Sequence, residues 1–328
     1  MNHKRFAALA SAGLAATLAL AGCGGQNESG DDSGAGGSEQ QLSGEVRVDG
    51  SSTVQPLTAA AGELYKEEQS GVNVSVATSG TGGGFQKFCR GETDISDASR
   101  PIKKDDAKED PACQKAGIAY EEIQVANDAL TVVVNKENTW VDCLTVAQLK
   151  KMWEPAAEKK ITSWKQVDPS FPDEKLSLYG AGTDSGTFDY FTAEINGEEG
   201  ASRTDYSPSE DDNVTVQGVS GSKGALGYFG YSYYEENADK LKAVKIDGGK
   251  GCVEPSSDNA QNGSYTPLAR PLFIYVAKKA YAEKPQVKGF VEFYVNNDQQ
   301  ITELAKFVPL SEEQRTKAKS SAQALAAG

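Results

Sequence analysis

The sequence predicts an α/β protein, because short apolar segments alternate along the chain with segments of helical periodicity. Three of the apolar segments, residues 45–49, 72–77 and 176–179, each lead into a turn rich in small residues, and a helical pattern follows each turn. This alternation is typical of mostly parallel sheets, whose ligands bind beyond the carboxyl ends of the strands. The chain from about residue 45 onward is long enough for two such lobes.

The first junction follows the alternating segment 45–49. Its turn contains Ser51, Ser52 and Thr53, and Pro56, three residues later, suits the first turn of a helix, where a missing N–H costs nothing. The helix that we predict there has an apolar face made of Leu57, Ala61, Leu64 and Tyr65.

The second junction is the glycine-rich stretch 78–84, which leads into a helix start at Phe85. It matches neither G-x-G-x-x-G nor a P-loop, because no Lys-Ser/Thr pair follows the glycines, and nucleotide binding is therefore disfavoured. The next segment, 94–101, indicates a short strand that ends at a polar corner. Arg100 lies at this corner, directly before a proline that restricts it to extended conformations.

The third junction follows the apolar run 176–179. Its glycines allow a tight turn, and Asp184, Ser185 and Thr187 are residue types that cap helices. A turn of this kind directs several backbone N–H groups at one point, with the positive end of a helix behind them. We therefore expect an anion site, although the same residues also make ordinary caps and turns.

Together, the three junctions and Arg100 describe a binding cage for an oxyanion better than a catalytic centre. The only histidine is His3, so no Ser-His-Asp or Cys-His nucleophile can be built from the rest of the chain. The segment from Asp184 to Thr187 resembles the aspartic protease signature, but that chemistry needs a second copy, which only a homodimer would supply. A serine hydrolase is weaker still, because the order around Ser185 is not G-x-S-x-G.

Further strands are predicted at 118–125, 129–134, 225–229, 241–246 and 269–276, with helices after residues 145 and 212 and over most of the chain beyond residue 278. The segment 197–212 is predicted to be a polar loop. The chain contains 33 basic and 47 acidic residues, for a formal net charge of −14, and it has no basic patch. This balance argues against nucleic-acid binding.

The first 22 residues have the pattern of a targeting segment, with a short positive region and an alanine-rich apolar region. The segment ends in Leu-Ala-Gly-Cys, which resembles the bacterial lipobox and implies a lipid on Cys23. An ordinary secretory peptide with a chance cysteine is the alternative. Residues 23–44 are rich in Gly, Ser, Asp and Glu and are predicted to be a disordered tether.

Four cysteines remain after Cys23, and an even number outside the cytosol suggests two disulfides among three pairings. A metal site is the competing interpretation, but no pair has C-x-x-C spacing and no histidine is nearby.

With these motifs in hand, the chain resembles the phosphate-binding proteins of Pst-type ABC transporters, in particular their lipoprotein branch. The motifs that carry the resemblance, which extends over about residues 46–308, are GSSTV at 50–54, GTGGGF at 80–85, ASRPI at 98–102, GTDSGTF at 182–188 and ALGYFGY at 225–231. The resemblance implies a two-lobed periplasmic-binding-protein-like (type II) fold with a hinge and two chain crossovers, near residues 128–131 and 267–271. Lobe one would comprise residues 45–127 plus 270–328, and lobe two residues 129–268.

This division favours the disulfides Cys89–Cys113 and Cys143–Cys252, because bonds between lobes would lock a hinge that must open. The resemblance also implies phosphate-binding residues in the three junctions: Thr53, Val54, Thr81, Ser185, Gly186 and Thr187. From this chain's own residues we add Ser52, Ser99 and Arg100. Ala181 departs from the arginine found there in many members, so we expect Arg100 to supply the positive charge. Ser99 replaces an aspartate that accepts the ligand's proton, and Asp97 and Asp184 are the candidates for that role.

The predicted function is an extracytoplasmic, lipid-anchored protein that captures inorganic phosphate and delivers it to the permease subunits of an ABC transporter. We expect no enzyme activity, no cofactor and no metal. The alternatives are a receptor for another oxyanion, such as sulfate or molybdate, and a surface lipoprotein that acts as a sensor or adhesin.

Overall fold

The computed structural model describes residues 41–183 and 185–327, and they form the predicted α/β fold. The strands are β1 Ser43–Gly50, β2 Gly71–Thr78, β3 Ile95–Ala98, β4 Tyr120–Asn135, β5 Cys143–Thr145, β6 Ser177–Ala181, β7 Ser207–Ser209, β8 Ala225–Gly230, β9 Leu241–Ala243, β10 Lys245–Asp247, β11 Cys252–Val253 and β12 Ala269–Ala277.

Helices cover the strands and fill most of the remaining chain. They are α1 Gln55–Glu68, α2 Gly80–Phe88, α3 Asp110–Ala116, α4 Val146–Trp153, α5 Trp164–Val167, α6 Gly186–Phe191, α7 Asp212–Ser220, α8 Tyr231–Glu236, α9 Ser257–Gln261, α10 Lys278–Glu283, α11 Pro285–Asn296, α12 Asp298–Leu304 and α13 Glu312–Ala327. A 3-10 turn at Pro155–Ala157 and a π-helix at Thr192–Asn196 complete the set. None of the helices in the described ranges is long and apolar enough to cross a membrane.

Nine strands form one sheet in the order β2-β1-β3-β12-β4-β8-β6-β7, with β9 also paired to β4. The pairs β1–β2, β1–β3, β6–β7 and β6–β8 are parallel, whereas β12 and β4 are antiparallel to each other and to their other neighbours. The prediction of a mostly parallel sheet is therefore only half right. The two antiparallel strands in the middle join what would otherwise be two separate parallel sheets.

Strand β4 was expected as two strands, 118–125 and 129–134, but it is one continuous strand. Residues 120–129 pair with β12, and residues 130–134 pair with β8. The polar residues between the expected strands do not break the ladder, because their side chains find partners inside the protein. Asn127 donates to Pro309 O and to Gln314 Oε1, and Asp128 forms an ion pair with Arg270.

Three smaller expectations were also wrong. The segment 241–246 is divided between β9 in the large sheet and β10 in a second sheet of the order β11-β10-β5. The expected polar loop 197–212 contains β7, an edge strand parallel to β6. The expected tether reaches two residues too far, since β1 already begins at Ser43. Cys23 and the rest of residues 1–40 lie outside the described residues.

Two large hydrophobic cores lie on either side of the point where β4 changes partner. The first draws its buried side chains from residues 46–126 and 272–325, and the second from residues 130–268. The disulfide Cys89–Cys113 lies in the first part of the chain, and Cys143–Cys252 joins β5 to β11 in the second. Both bonds have the pairing that we expected, and neither connects one core to the other.

Candidate functional site

A cavity of about 750 Å³ lies where the three glycine- and hydroxyl-rich junctions meet β12. The chain segments that contribute to each of the two cores both line it. The lining residues are Ser51, Ser52, Thr53, Ser79, Gly80, Thr81, Gly82, Ser99, Arg100, Pro101, Gly186, Asp189, Tyr190, Ala193, Glu194, Glu199, Thr266, Pro267, Ala269, Arg270 and Pro271. The structure thus brings the three predicted junctions together at one place.

The first loop, between β1 and α1, is held against β3 by a glycine. Gly50 has φ 152°, and a Cβ atom at this position would lie 2.1 Å from Asp97 O, so that no other residue fits. Ser51 N donates to Asp97 O at 2.9 Å, and Val54 N donates to Ser51 O at 3.2 Å. This arrangement presents Ser52 and Thr53 to the cavity, whereas Val54 is fully buried and its N–H is already bonded within the loop.

The second loop is the start of α2, and it packs closely on the first. A Cβ atom at Gly84 would lie 2.5 Å from Gly50 Cα, so glycine is needed for the helix to approach the strand end. Thr81 reaches the end of β3, where Ser99 N donates to Thr81 Oγ1 at 3.2 Å and the two hydroxyls lie 3.1 Å apart. Both hydroxyls line the cavity.

The third loop approaches the first across the cavity. A Cβ atom at Gly186 would lie 2.6 Å from Thr53 Oγ1 and 2.9 Å from Thr53 N, which only glycine allows. Ser185 is the N-cap of α6, and its hydroxyl accepts from Thr187 N at 3.1 Å. Thr187 lines a separate cavity of about 240 Å³, and Asp184 lies outside the described residues.

Arg100 lines the cavity, but its guanidinium is held by a buried carboxylate. Nη2 and Nη1 donate to the two carboxylate oxygens of Glu109 at 2.6 and 3.0 Å, and Nη1 also donates to Pro101 O at 3.1 Å. The Glu109 side chain is 3% exposed. Burial is the largest single effect and would raise the pKa of this carboxyl, but the hydrogen bonds from Arg100 and from the Lys103 N–H together outweigh it and lower the pKa. Three of the five guanidinium N–H groups are therefore already used.

Arg270 is the second arginine in the cavity, and it is not among the binding residues predicted from the sequence. Its Nη2 donates to Thr53 Oγ1 at 2.9 Å, its Nε donates to Asp128 Oδ2 at 3.2 Å, and its guanidinium lies 3.6 Å from the centre of the Tyr190 ring. Among the described residues it forms no other hydrogen bond, so three of its N–H groups remain for a ligand. A signal was present: Arg270 precedes Pro271 as Arg100 precedes Pro101.

Carboxylates outnumber the arginines around the cavity. Asp189, Glu194 and Glu199 line it, and burial is the largest cause that raises the pKa of Asp189 and of Glu194. Burial also raises the pKa of Asp128, against the opposing effect of Arg270. An anion bound in this cavity would therefore have to be held by hydrogen bonds and oriented dipoles more than by an excess of positive charge.

Asp97, an expected proton acceptor, does not line the cavity. It lies beneath the first loop with no exposed surface, its Oδ1 accepts from Thr58 Oγ1 at 2.9 Å, and its Oδ2 has no hydrogen-bond partner in the described part of the chain. Burial raises its pKa to about 8. The role of Asp97 therefore stays a prediction.

Of the nine expected binding residues, the cavity lining contains Ser52, Thr53, Thr81, Ser99, Arg100 and Gly186, and it does not contain Val54, Ser185 or Thr187. Within residues 41–183 and 185–327, no group of three or more His, Cys, Asp and Glu side chains is placed to hold a metal ion.

Comparison with known proteins identifies the family. The family model described as a PBP superfamily domain matches residues 35–298. The chain belongs to the PBP superfamily. This match confirms the periplasmic-binding-protein-like fold that the resemblance implied.

Relatives within the PBP superfamily cover most of the chain. The protein SphX of Synechocystis sp. is 48% identical over 273 residues, which are 83% of this chain and 80% of SphX. The phosphate-binding protein PstS of Staphylococcus saprophyticus is 39% identical over 319 residues, which are 97% of this chain and 94% of PstS. The crystal structure of a possible phosphate binding protein from Planctomyces limnophilus has a TM-score of 0.80 and 45% identity, and covers 87% of this chain and 99% of its own.

We predict that Asp97→Asn changes the pH dependence of stability. The unfolded chain ionises Asp97 near the ordinary value of 3.8, whereas the folded protein keeps it protonated up to about pH 8. The free energy of unfolding of the wild type should therefore fall as the pH rises through this window, and the neutral amide should abolish that contribution. Urea denaturation at pH 5 and pH 9 in phosphate-free buffer measures it. The gain from the variant is expected at pH 9, and an equal effect at both pH values would contradict the assigned pKa.

Proposed function

We propose that the protein binds inorganic phosphate in the cavity between its two lobes and delivers it to the permease subunits of an ABC transporter. The observation that carries the proposal is the convergence of Thr53, Thr81, Ser99, Gly186 and Arg270 on one cavity. Hydroxyl and guanidinium donors that converge on one cavity suit a tetrahedral oxyanion. The names of its PBP superfamily relatives support phosphate as that oxyanion, and a structural neighbour from Clostridium perfringens with 25% identity was solved with phosphate bound.

The lobes of the proposal are the predicted ones, residues 45–127 plus 270–328 and residues 129–268. Their boundaries fall where the two cores meet, and β4 and β12 are the strands that pass between them. Phosphate would close the lobes by contacting the first and second loops in lobe one and the third loop in lobe two. A ligand shifts a conformational equilibrium only through its preference for one state, and contacts to both lobes exist only when they are closed.

The lipid on Cys23 and the location outside the cytoplasm belong to the same proposal. The lipobox resemblance and the polar composition of the tether support them, because such a tether lets an anchored protein reach a membrane permease. The family is one of substrate-binding transport proteins, and we propose that this member likewise has no enzyme activity.

Calorimetric titration of the wild-type protein with phosphate, and separately with sulfate, tests the proposal directly. A cage of this kind is expected to bind phosphate with a Kd in the micromolar range or below, equivalent to about −8 kcal/mol or better. Sulfate is expected to bind much more weakly. Absence of heat with phosphate would refute the function, and tighter binding of sulfate or molybdate would reassign the ligand.

Arg270→Lys should weaken phosphate binding more than Arg100→Lys. The lysine keeps a positive charge beside Asp128 but loses the planar fork, and the charge-assisted hydrogen bonds lost are worth about 1.5–3 kcal/mol, or roughly 10- to 150-fold in Kd. Arg100 has fewer N–H groups left for a ligand, so its effect should be smaller. Titration of both variants, with thermal unfolding as the control for folding, measures the order. The reverse order would make Arg100 the principal cation.

Gly186→Ala should hinder lobe closure. Its Cβ would lie 2.6 Å from Thr53 Oγ1, so the first and third loops must move apart, at a cost of about 1–3 kcal/mol that appears as weaker phosphate binding. Gly230→Ala is the matched control in lobe two, because the nearest atom to its Cβ is 4.0 Å away. Phosphate titration and the change in radius of gyration on adding phosphate are the measurements. Wild-type values for Gly186→Ala would show that the loops need not approach this closely.

A further inference from the structure

The hydroxyl groups that line the cavity differ in whether they can donate a hydrogen bond to a ligand or can only accept one. A hydroxyl has one proton to donate, and a neighbour that takes or supplies a proton fixes how the group can serve a ligand. Thr53 Oγ1 accepts from Arg270 Nη2 at 2.9 Å, and so its own proton is available to donate to a ligand. Thr53 is therefore a donor in the cage.

Ser79 has the opposite polarity. Its Oγ donates to Asp49 Oδ1 at 2.5 Å, and the other carboxylate oxygen of Asp49 forms an ion pair with Lys87 Nζ, also at 2.5 Å. An ionised carboxylate has no proton to give, so the proton of the shared hydrogen bond must be the serine's. The Asp49 side chain is 5% exposed, and this burial strengthens the bond that fixes the direction.

The position of Ser79 makes this polarity available to a ligand. Ser79 lines the cavity between the first and second loops, and its N–H donates to Gly50 O at 3.1 Å, which fixes its backbone. It is the N-cap residue of α2, yet its side chain makes no capping hydrogen bond. The hydroxyl is thus not required for the helix end, and its remaining hydrogen-bonding capacity is that of an acceptor.

We propose that Ser79, held by Asp49, accepts a hydrogen bond from the bound anion and selects oxyanions that carry a proton. Phosphate and arsenate keep at least one proton near neutral pH, and sulfate keeps none. If sulfate were bound, the Ser79 oxygen would face an unprotonated sulfate oxygen. The lone pairs of the two oxygens would repel each other, and neither oxygen would have a hydrogen-bond donor. This inference rests on the proposed function, because it assigns the specificity of the same cavity. It places the proton acceptor at a serine that neither loop motif pointed to.

The test is calorimetric titration of the full chain and of Ser79→Ala with phosphate, arsenate and sulfate at pH 7. Loss of one acceptor is expected to weaken phosphate and arsenate about tenfold each and to leave sulfate unchanged or slightly tighter. The preference for phosphate over sulfate therefore falls about tenfold. Ser79→Thr keeps the hydroxyl and should restore the preference.

Thr81→Ala is the matched control, because Thr81 is a hydroxyl of the same loop that lines the same cavity. It should weaken phosphate and sulfate together and leave their ratio unchanged. If the wild-type protein binds phosphate and Ser79→Ala shows the same preference for phosphate over sulfate as the wild type, the inference is overturned and the proposed function stands. If the wild type bound no phosphate, the proposed function itself would fail. Thermal unfolding of each variant separates loss of the fold from loss of the contact.

Discussion

The antiparallel pairing of β4 with β12 is the constraint on which the rest of the structure depends. Both strands continue from one core to the other, and their register places Asp128 directly opposite Arg270. The ion pair is largely buried, with side chains 12% and 18% exposed, so removing one partner alone would leave an uncompensated charge at a typical cost of about 3–5 kcal/mol. The strands thus fix a guanidinium at the crossing point, and the loops assemble around it.

Each arginine of the cavity is paired with a buried carboxylate, Arg100 with Glu109 and Arg270 with Asp128. With a formal net charge of −14 on the chain and three more carboxylates in the lining, the site cannot rely on long-range attraction of anions. Paired arginines keep their geometry in the empty state and present N–H groups in fixed directions. In the proposed function, affinity for the anion would then depend on short hydrogen bonds that form when the loops close on the ligand.

The features that could be predicted from the sequence are those that residues close together in the chain determine. The three junctions could be predicted because a strand, a turn of small residues and a helix cap each have a local pattern, and their convergence follows from the α/β class. Strand β4 could not be predicted as continuous, because Asn127 and Asp128 look like a break until their partners Gln314 and Arg270 are known. Arg270 was missed for the same reason. Its role depends on Thr53 and Tyr190, which are distant in the sequence.

Thr53 shows why the site cannot be divided into independent parts. It accepts from Arg270 on the crossing strand, it lies against Gly186 of the third loop, and its own proton remains available for donation. Movement of the proposed lobes would therefore change the environment of a hydroxyl whose orientation Arg270 of β12 sets. Through its contacts with Arg270 of β12 and with the third loop, Thr53 would couple closure of the proposed lobes to the bound anion. In the proposed function these contacts form together, so the strength of the anion's bond to Thr53 would be linked to the closed arrangement of the lobes.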